Sequence, residues 1–189
     1  SISVGAPQFE TTAPQAVLID YTTGAVLFEK NSHIPVPPAS LSKLMTSYMA
    51  FDAIKNEILM IDDLLTVSEK AWRMGGSKMF VEVGKQVSVE DLLRGVIIQS
   101  GNDACIVLAE AIGGDESTFS DLMNEKSIEL GLTDSIFRNS TGWPHPEHKM
   151  SAADIAIITH SLIKEFPAFF PLFAEKDFTY NDIRQVYRN

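Results

Sequence analysis

Ser40 and Lys43 stand three positions apart in the stretch Pro37-Pro38-Ala39-Ser40-Leu41-Ser42-Lys43. On a helix that spacing sets a hydroxyl and an amine on one side, a turn from each other. An amine beside a hydroxyl is one of the few local arrangements that makes serine a nucleophile without histidine. The plainer reading is a serine N-cap followed by a solvated lysine. A second polar group, Ser100-Gly101-Asn102, is wedged between Val96-Ile97-Ile98 and the apolar run after Asp103. It is either a connector whose Ser100 or Asn102 caps the next helix, or a rigidly held hydroxyl and amide suited to proton relay and substrate binding. A third, Asn139-Ser140-Thr141-Gly142-Trp143-Pro144, reads as a surface turn in preference to a substrate-facing loop.

The elements that must hold these groups follow from apolar spacing. Leu41, Leu44, Met45, Tyr48, Met49 and Phe51 predict a helix from Leu41 to Ile54, opened by Ser40 after two prolines. Ahead of it, Ala16 to Asp20 and Ala25 to Glu29 are β-rich runs joined by Tyr21-Thr22-Thr23-Gly24, a hairpin with Gly24 suited to positive φ. The first run is apolar, so a buried sheet strand is expected. Ser1 to Pro14 reads as an arm, and Glu69 to Phe80, with Gly75, Gly76 and Ser77, as a flexible loop. Ser88-Val89-Glu90-Asp91 and Ser151-Ala152-Ala153-Asp154 are capping boxes; the second opens a helix to about Lys164. Ala104 to Ile112 is nearly all apolar, which predicts a central buried helix stopped by Gly113-Gly114. Phe119 to Leu130 is another helix, Ile136 to Met150 a loop, and Phe178 to Asn189 a strand or a loop. About five helices and at most three strands make an α+β layout whose sheet is short of strands.

Composition narrows the function classes. With 189 residues, 45% hydrophobic and 21% charged, the chain is one globular domain, or one with a small appendage. A formal net charge of −10 argues against nucleic acid as a partner. No apolar run is long enough to cross a bilayer. The chain opens at Ser1 without the charged and apolar regions of a signal peptide. The single cysteine, Cys105, excludes an internal disulfide and reads as a small core residue, though one placed where the site could be thiol-sensitive. His33, His145, His148 and His160 lack metal-ligand spacing, and His145 and His148, in a Pro-rich loop, read as solvated. No metal and no cofactor is expected.

Taken together, the motifs resemble those of the penicillin-recognising serine enzymes, and most closely the low-molecular-mass penicillin-binding proteins that act as D-alanyl-D-alanine carboxypeptidases. Tyr21-Thr22-Thr23-Gly24 with Val26-Leu27 resembles that family's opening hairpin, and Pro38 to Thr46 its nucleophile helix. Gly75 to Phe80 resembles the loop beside its site, Ser100-Gly101-Asn102-Asp103-Ala104 its second motif, and Asn139-Ser140-Thr141-Gly142 a later loop. The resemblance implies a β-lactamase/DD-peptidase-like α+β fold, a helical cluster against an antiparallel sheet. It implies that Ser40 attacks the bond between two terminal D-alanines of a peptidoglycan stem peptide. Lys43 would take its proton, Ser100 would relay a proton toward the leaving amine, and Asn102 would hold the substrate amide and orient Lys43. β-Lactams would acylate Ser40 in the same way. The implied location is periplasmic, in the bacterial cell envelope.

The sequence departs from the pattern in two respects. Its second motif reads Ser-Gly-Asn, not Ser-Asp-Asn, a form the carboxypeptidase group also uses. Neither Lys-Thr-Gly nor Lys-Ser-Gly occurs anywhere, although in the family that triad lies on a later strand that faces the nucleophile. The expectation is therefore that residues 1–189 form a catalytic domain lacking its C-terminal sheet strands, with the family's second domain and membrane-surface anchor also absent. The alternatives are a non-catalytic β-lactam-binding fragment or sensor, and a class A-like β-lactamase, for which no Glu-x-x-Leu-Asn motif is seen.

Overall fold

The computed structural model describes residues 9–186. The first eight residues of the expected N-terminal arm and the last three of the 178–189 stretch lie outside them. Strands β1 (Ala16–Ile19) and β2 (Val26–Lys30) form the expected antiparallel hairpin, with Gly24 at φ +72° in its turn. A 3-10 segment, Ala39–Ser42, runs into α1 (Lys43–Lys55). Then come β3 (Leu64–Thr66), α2 (Glu69–Arg73), β4 (Gln86–Ser88), α3 (Val89–Ile97), α4 (Asn102–Gly113), α5 (Glu116–Leu130) and α6 (Ala152–Glu165). A second 3-10 turn, Phe170–Ala174, leads to β5 (Asp177–Tyr180) and β6 (Ile183–Val186). The described strands form three separate antiparallel pairs, β1–β2, β3–β4 and β5–β6.

The centre of the helical cluster is α4. Residues Ala104 to Ala109 are all buried, and α4 packs on α1, α2, α3 and α5. This is the position expected of a helix apolar on every face. Serines start the flanking helices as expected: Ser88 Oγ accepts the Asp91 N–H at 3.1 Å, and Ser151 Oγ the Asp154 N–H at 3.1 Å. Asp115 does the same for α5, accepting from Thr118 at 2.6 Å.

Four expectations are corrected. The first strand is not buried: Leu18 is 39% exposed and the rest of β1 half-buried. The hairpin rests on α6 and, among the described residues, has no partner sheet, so an apolar run is not sufficient for burial. Glu69 to Phe80 is not all loop, because Ser68 Oγ caps α2 by accepting from Ala71 at 3.1 Å. The described residues form six strands where at most three were expected; β3 and β4, at three residues each, are too short to show periodicity. Finally, His148 is buried, not solvated. The loop that carries it is folded onto the molecule by two β-bridges, Val36 with Met150 and Ile136 with Lys149.

Candidate active site

Pro37 and Pro38 deliver the chain to Ala39, which adopts φ +50°. Ser40 sits in the 3-10 turn, not at the N-cap of α1, and it is exposed. Lys43 is the first residue of α1 and is only 7% exposed. The spacing argument holds: both side chains line one cleft of about 360 Å³. Ser100 and Asn102 line the same cleft, together with Ser77 and Thr141 to Pro144. The sequence-predicted residues Ser40, Lys43, Ser100 and Asn102 are thus brought together.

The electrostatics of Lys43 are unusual. Burial holds its amine below the ordinary lysine value. Its place at the start of α1, near the positive end of the helix dipole, acts in the same direction. Among the described residues the Lys43 side-chain amine makes no hydrogen bond or ion pair, while its backbone N–H donates to the Ser40 and Leu41 carbonyls. Cys105 of α4 is close enough for a charge there to oppose the shift. However, burial pushes the Cys105 thiol up to about 12, so at neutral pH it is uncharged. The expected core role of Cys105 holds, since it is fully buried.

Ser100 occupies the turn between α3 and α4 with φ +57°, a left-handed backbone that a non-glycine residue adopts at a cost. Three interactions fix it there. The Gly101 N–H donates to the Gly95 carbonyl at 2.9 Å, and the Asn102 N–H to the Ser77 carbonyl at 2.8 Å. The Asn102 side-chain amide donates to the Gly75 carbonyl at 2.9 Å. Neither Ser100 nor Asn102 caps α4, whose N-cap is Gly101 without a side-chain bond. Asn102 makes no hydrogen bond to Lys43; its side chain and backbone N–H hold the 75–77 loop.

Sequence reasoning missed three contributors. Asp103 is buried, and its carboxylate accepts from Met79, Val81 and Ala104 N–H groups at 2.9 to 3.1 Å. A carboxylate in the first turn of an otherwise apolar buried helix was the available signal. The Asn139–Pro144 segment is a wall of the cleft, not a free surface turn. Ser140 and Thr141 are buried, and Asn139 Oδ1 folds the segment by accepting the Gly142 N–H at 2.8 Å. His148 is the third. Its Nδ1 accepts the Arg138 N–H at 2.9 Å, so the ring proton resides on Nε2, 2.6 Å from Ser42 Oγ.

A helical cluster that brings a Ser-x-x-Lys turn and a Ser-Gly-Asn turn to one cleft has the arrangement of a penicillin-recognising serine enzyme. The sequence profile of the D-alanyl-D-alanine carboxypeptidase family matches residues 2–189. The chain is 42% identical over 193 residues to D-alanyl-D-alanine carboxypeptidase DacC of Escherichia coli (strain K12), covering 99% of this chain and 48% of that protein. Among solved structures, penicillin binding protein 5 from Haemophilus influenzae superposes with a TM-score of 0.93 at 40% identity, over 97% of this chain and 54% of that one. Penicillin binding protein 6B from Escherichia coli superposes with a TM-score of 0.94 at 39% identity, over 100% and 62%. The chain belongs to the D-alanyl-D-alanine carboxypeptidase family. It spans about half the length of the curated relatives it matches.

Proposed function

We propose that the protein carrying this chain is an extracytoplasmic serine D-alanyl-D-alanine carboxypeptidase that trims the terminal D-Ala from peptidoglycan stem peptides and is acylated by β-lactams. The observation that carries this reading is the Lys43 amine, buried without a counter-ion in the cleft that Ser40 faces. Burial shifts an unpaired amine toward its neutral form, and the neutral amine is the base.

In the proposed reaction, Ser40 Oγ attacks the carbonyl of the penultimate D-Ala while Lys43 Nζ takes the hydroxyl proton. The Ser40 amide lies in the first turn of its 3-10 segment, where N–H groups have no intrahelical acceptor. It is suited to stabilise the developing oxyanion, a donor worth roughly 3 kcal/mol. Ser100 passes a proton to the departing D-Ala amine as the C–N bond breaks. Water then attacks the Ser40 ester, giving a proton to Lys43 Nζ, and Lys43 hands that proton to Ser40 Oγ as the ester bond breaks. Asn102 holds the substrate amide. Residues 1–189 supply the helical side of this site, and the facing Lys-Thr-Gly strand would come from outside them.

Incubation of the intact protein with a fluorescent penicillin, followed by peptide mapping, tests the reading. Long-lived label on Ser40, with release of D-Ala from a D-Ala-D-Ala peptide, is expected. Rapid turnover of the label would indicate a β-lactamase. Label without peptide hydrolysis would indicate a β-lactam-binding sensor, and no label would overturn the nucleophile assignment.

A further inference from the structure

His148 does not line the cleft, yet it is bonded to the turn that carries the nucleophile. Ser42 lies between Ser40 and Lys43 on the inward side of that turn and is fully buried. His148 Nε2 donates to Ser42 Oγ at 2.6 Å across 106 positions of sequence. Both ring nitrogens are engaged, and the ring stands edge-on to Phe137 with centroids 5.6 Å apart. A buried imidazole so satisfied has one orientation and one tautomer.

The same segment touches the turn at two further points. Gly142 packs on the Ala39 carbonyl with no room for a side chain. Thr46, one turn into α1, donates to the Ser140 carbonyl at 2.6 Å. Ser140 is itself held by Glu116 of α5, whose carboxylate accepts from its hydroxyl at 2.6 Å. Contacts on both sides of Ser40 and Lys43 fix how far the turn is rotated about its axis. That rotation decides whether the hydroxyl and the amine face the cleft together.

We propose that residues 139–150 clamp the nucleophile turn, and that His148 is a positioning residue for acylation of Ser40, acting through Ser42. The proposal rests on Ser40 being the nucleophile. A hydrogen bond of this kind is worth about a tenfold change in rate if it is needed to reach the reacting geometry.

The test compares Ser42→Ala, His148→Leu, the double variant and His148→Gln in the intact protein. The readouts are the second-order rate of fluorescent-penicillin labelling and the melting temperature. Each single variant is expected to label about tenfold more slowly while remaining folded. The double variant is expected to be no slower than the slower single one, because both remove one interaction. His148→Gln, which retains an N–H donor, is expected to recover most of the rate. Ser42→Ala deletes a single oxygen, so it keeps the test decisive if His148→Leu does not fold. Single variants within twofold of wild type, losses that multiply in the double variant, or no rescue by Gln would each overturn the clamp. A wild-type protein that takes no label at Ser40 overturns the nucleophile reading and the clamp with it, whereas a labelled wild type with unaffected variants overturns the clamp alone.

Discussion

Gly142 packs so closely on the carbonyl of Ala39 that a Cβ at 142 would overlap the oxygen. Gly142 also has φ +83°, a backbone that side-chain-bearing residues rarely adopt. Ala39 is the residue immediately before Ser40, and it too has a left-handed backbone. Gly142→Ala therefore has to displace either the cleft wall or the nucleophile turn. We expect a loss of roughly 1 to 3 kcal/mol in stability and a labelling rate by fluorescent penicillin reduced by an order of magnitude or more among folded molecules. Thermal unfolding and labelling kinetics on the same samples check this. A variant that matches wild type in both would mean that the two segments separate freely.

Lys43→Ala is expected to separate activity from stability. The amine is buried without a partner, so its loss removes a desolvation cost and no hydrogen bond. Acylation should be abolished while the melting temperature is unchanged or raised. The pH profile of the wild type follows from the same burial. The base form is the neutral amine, so the acylation rate should fall as pH drops through the Lys43 pKa. Because that pKa is depressed, the rate should level off below about pH 10.4, the value of an ordinary lysine. A rate that keeps rising to that pH would show that Lys43 is not perturbed.

His148 makes the fold acid-sensitive. Burial pushes its pKa down to about 4, with the nearby positive charges of His145 and Arg138 acting in the same direction. In the unfolded chain a histidine titrates near 6.5. A group with a depressed folded pKa contributes stability that is complete above the unfolded value and is lost as pH falls through the folded one. Roughly 3 kcal/mol should therefore disappear between about pH 6.5 and pH 4. Protonation at Nδ1 would also break the bond from the Arg138 N–H. Denaturant unfolding of wild type and His148→Gln across this range checks the effect. The variant should show a distinctly shallower loss, and parallel curves would remove His148 as the cause.

How much of this was legible in the sequence depended on range. The turn at Gly24, the caps at Ser88 and Ser151 and the buried helix from Ala104 are local patterns, and each was readable from spacing and residue type. Ser40 with Lys43 was readable for the same reason, since one helical turn joins them. His148 was not, because its partner Ser42 lies 106 positions away and nothing in Pro144-His145-Pro146-Glu147-His148 distinguishes a buried ring from a solvated one. The exposure of β1 was hidden too. An apolar strand is buried only if something covers it, and covering is a tertiary property. The cleft wall at Thr141 to Pro144 was misjudged because Gly, Pro and Asn mark a turn without saying what the turn packs against.

Asp103 joins the Ser-Gly-Asn turn to the loop that faces it. Its Oδ1 accepts from Met79 at 3.0 Å and from Ala104 at 2.9 Å, and its Oδ2 from Val81 at 3.1 Å. Next to it, Asn102 bonds through its backbone to Ser77 and through its side chain to Gly75. Residues 75–81 and the first turn of α4 therefore form one unit, and the cleft position of Ser77 depends on it. In Asp103→Asn one acceptor oxygen becomes a donor, so at least one buried backbone N–H is left without a partner. Such a loss costs about 1 to 3 kcal/mol, which for a chain of this size lowers the melting temperature by roughly 2 to 12 °C. The acylation rate should drop as well, because Ser100 and Asn102 lose their fixed placement in the cleft. A reduced melting temperature with an unchanged acylation rate would show that the unit supports the fold but not the site. An unchanged melting temperature would show that the loop is held by its other contacts, such as the 2.7 Å bond from Gln185 Nε2 to the Met79 carbonyl.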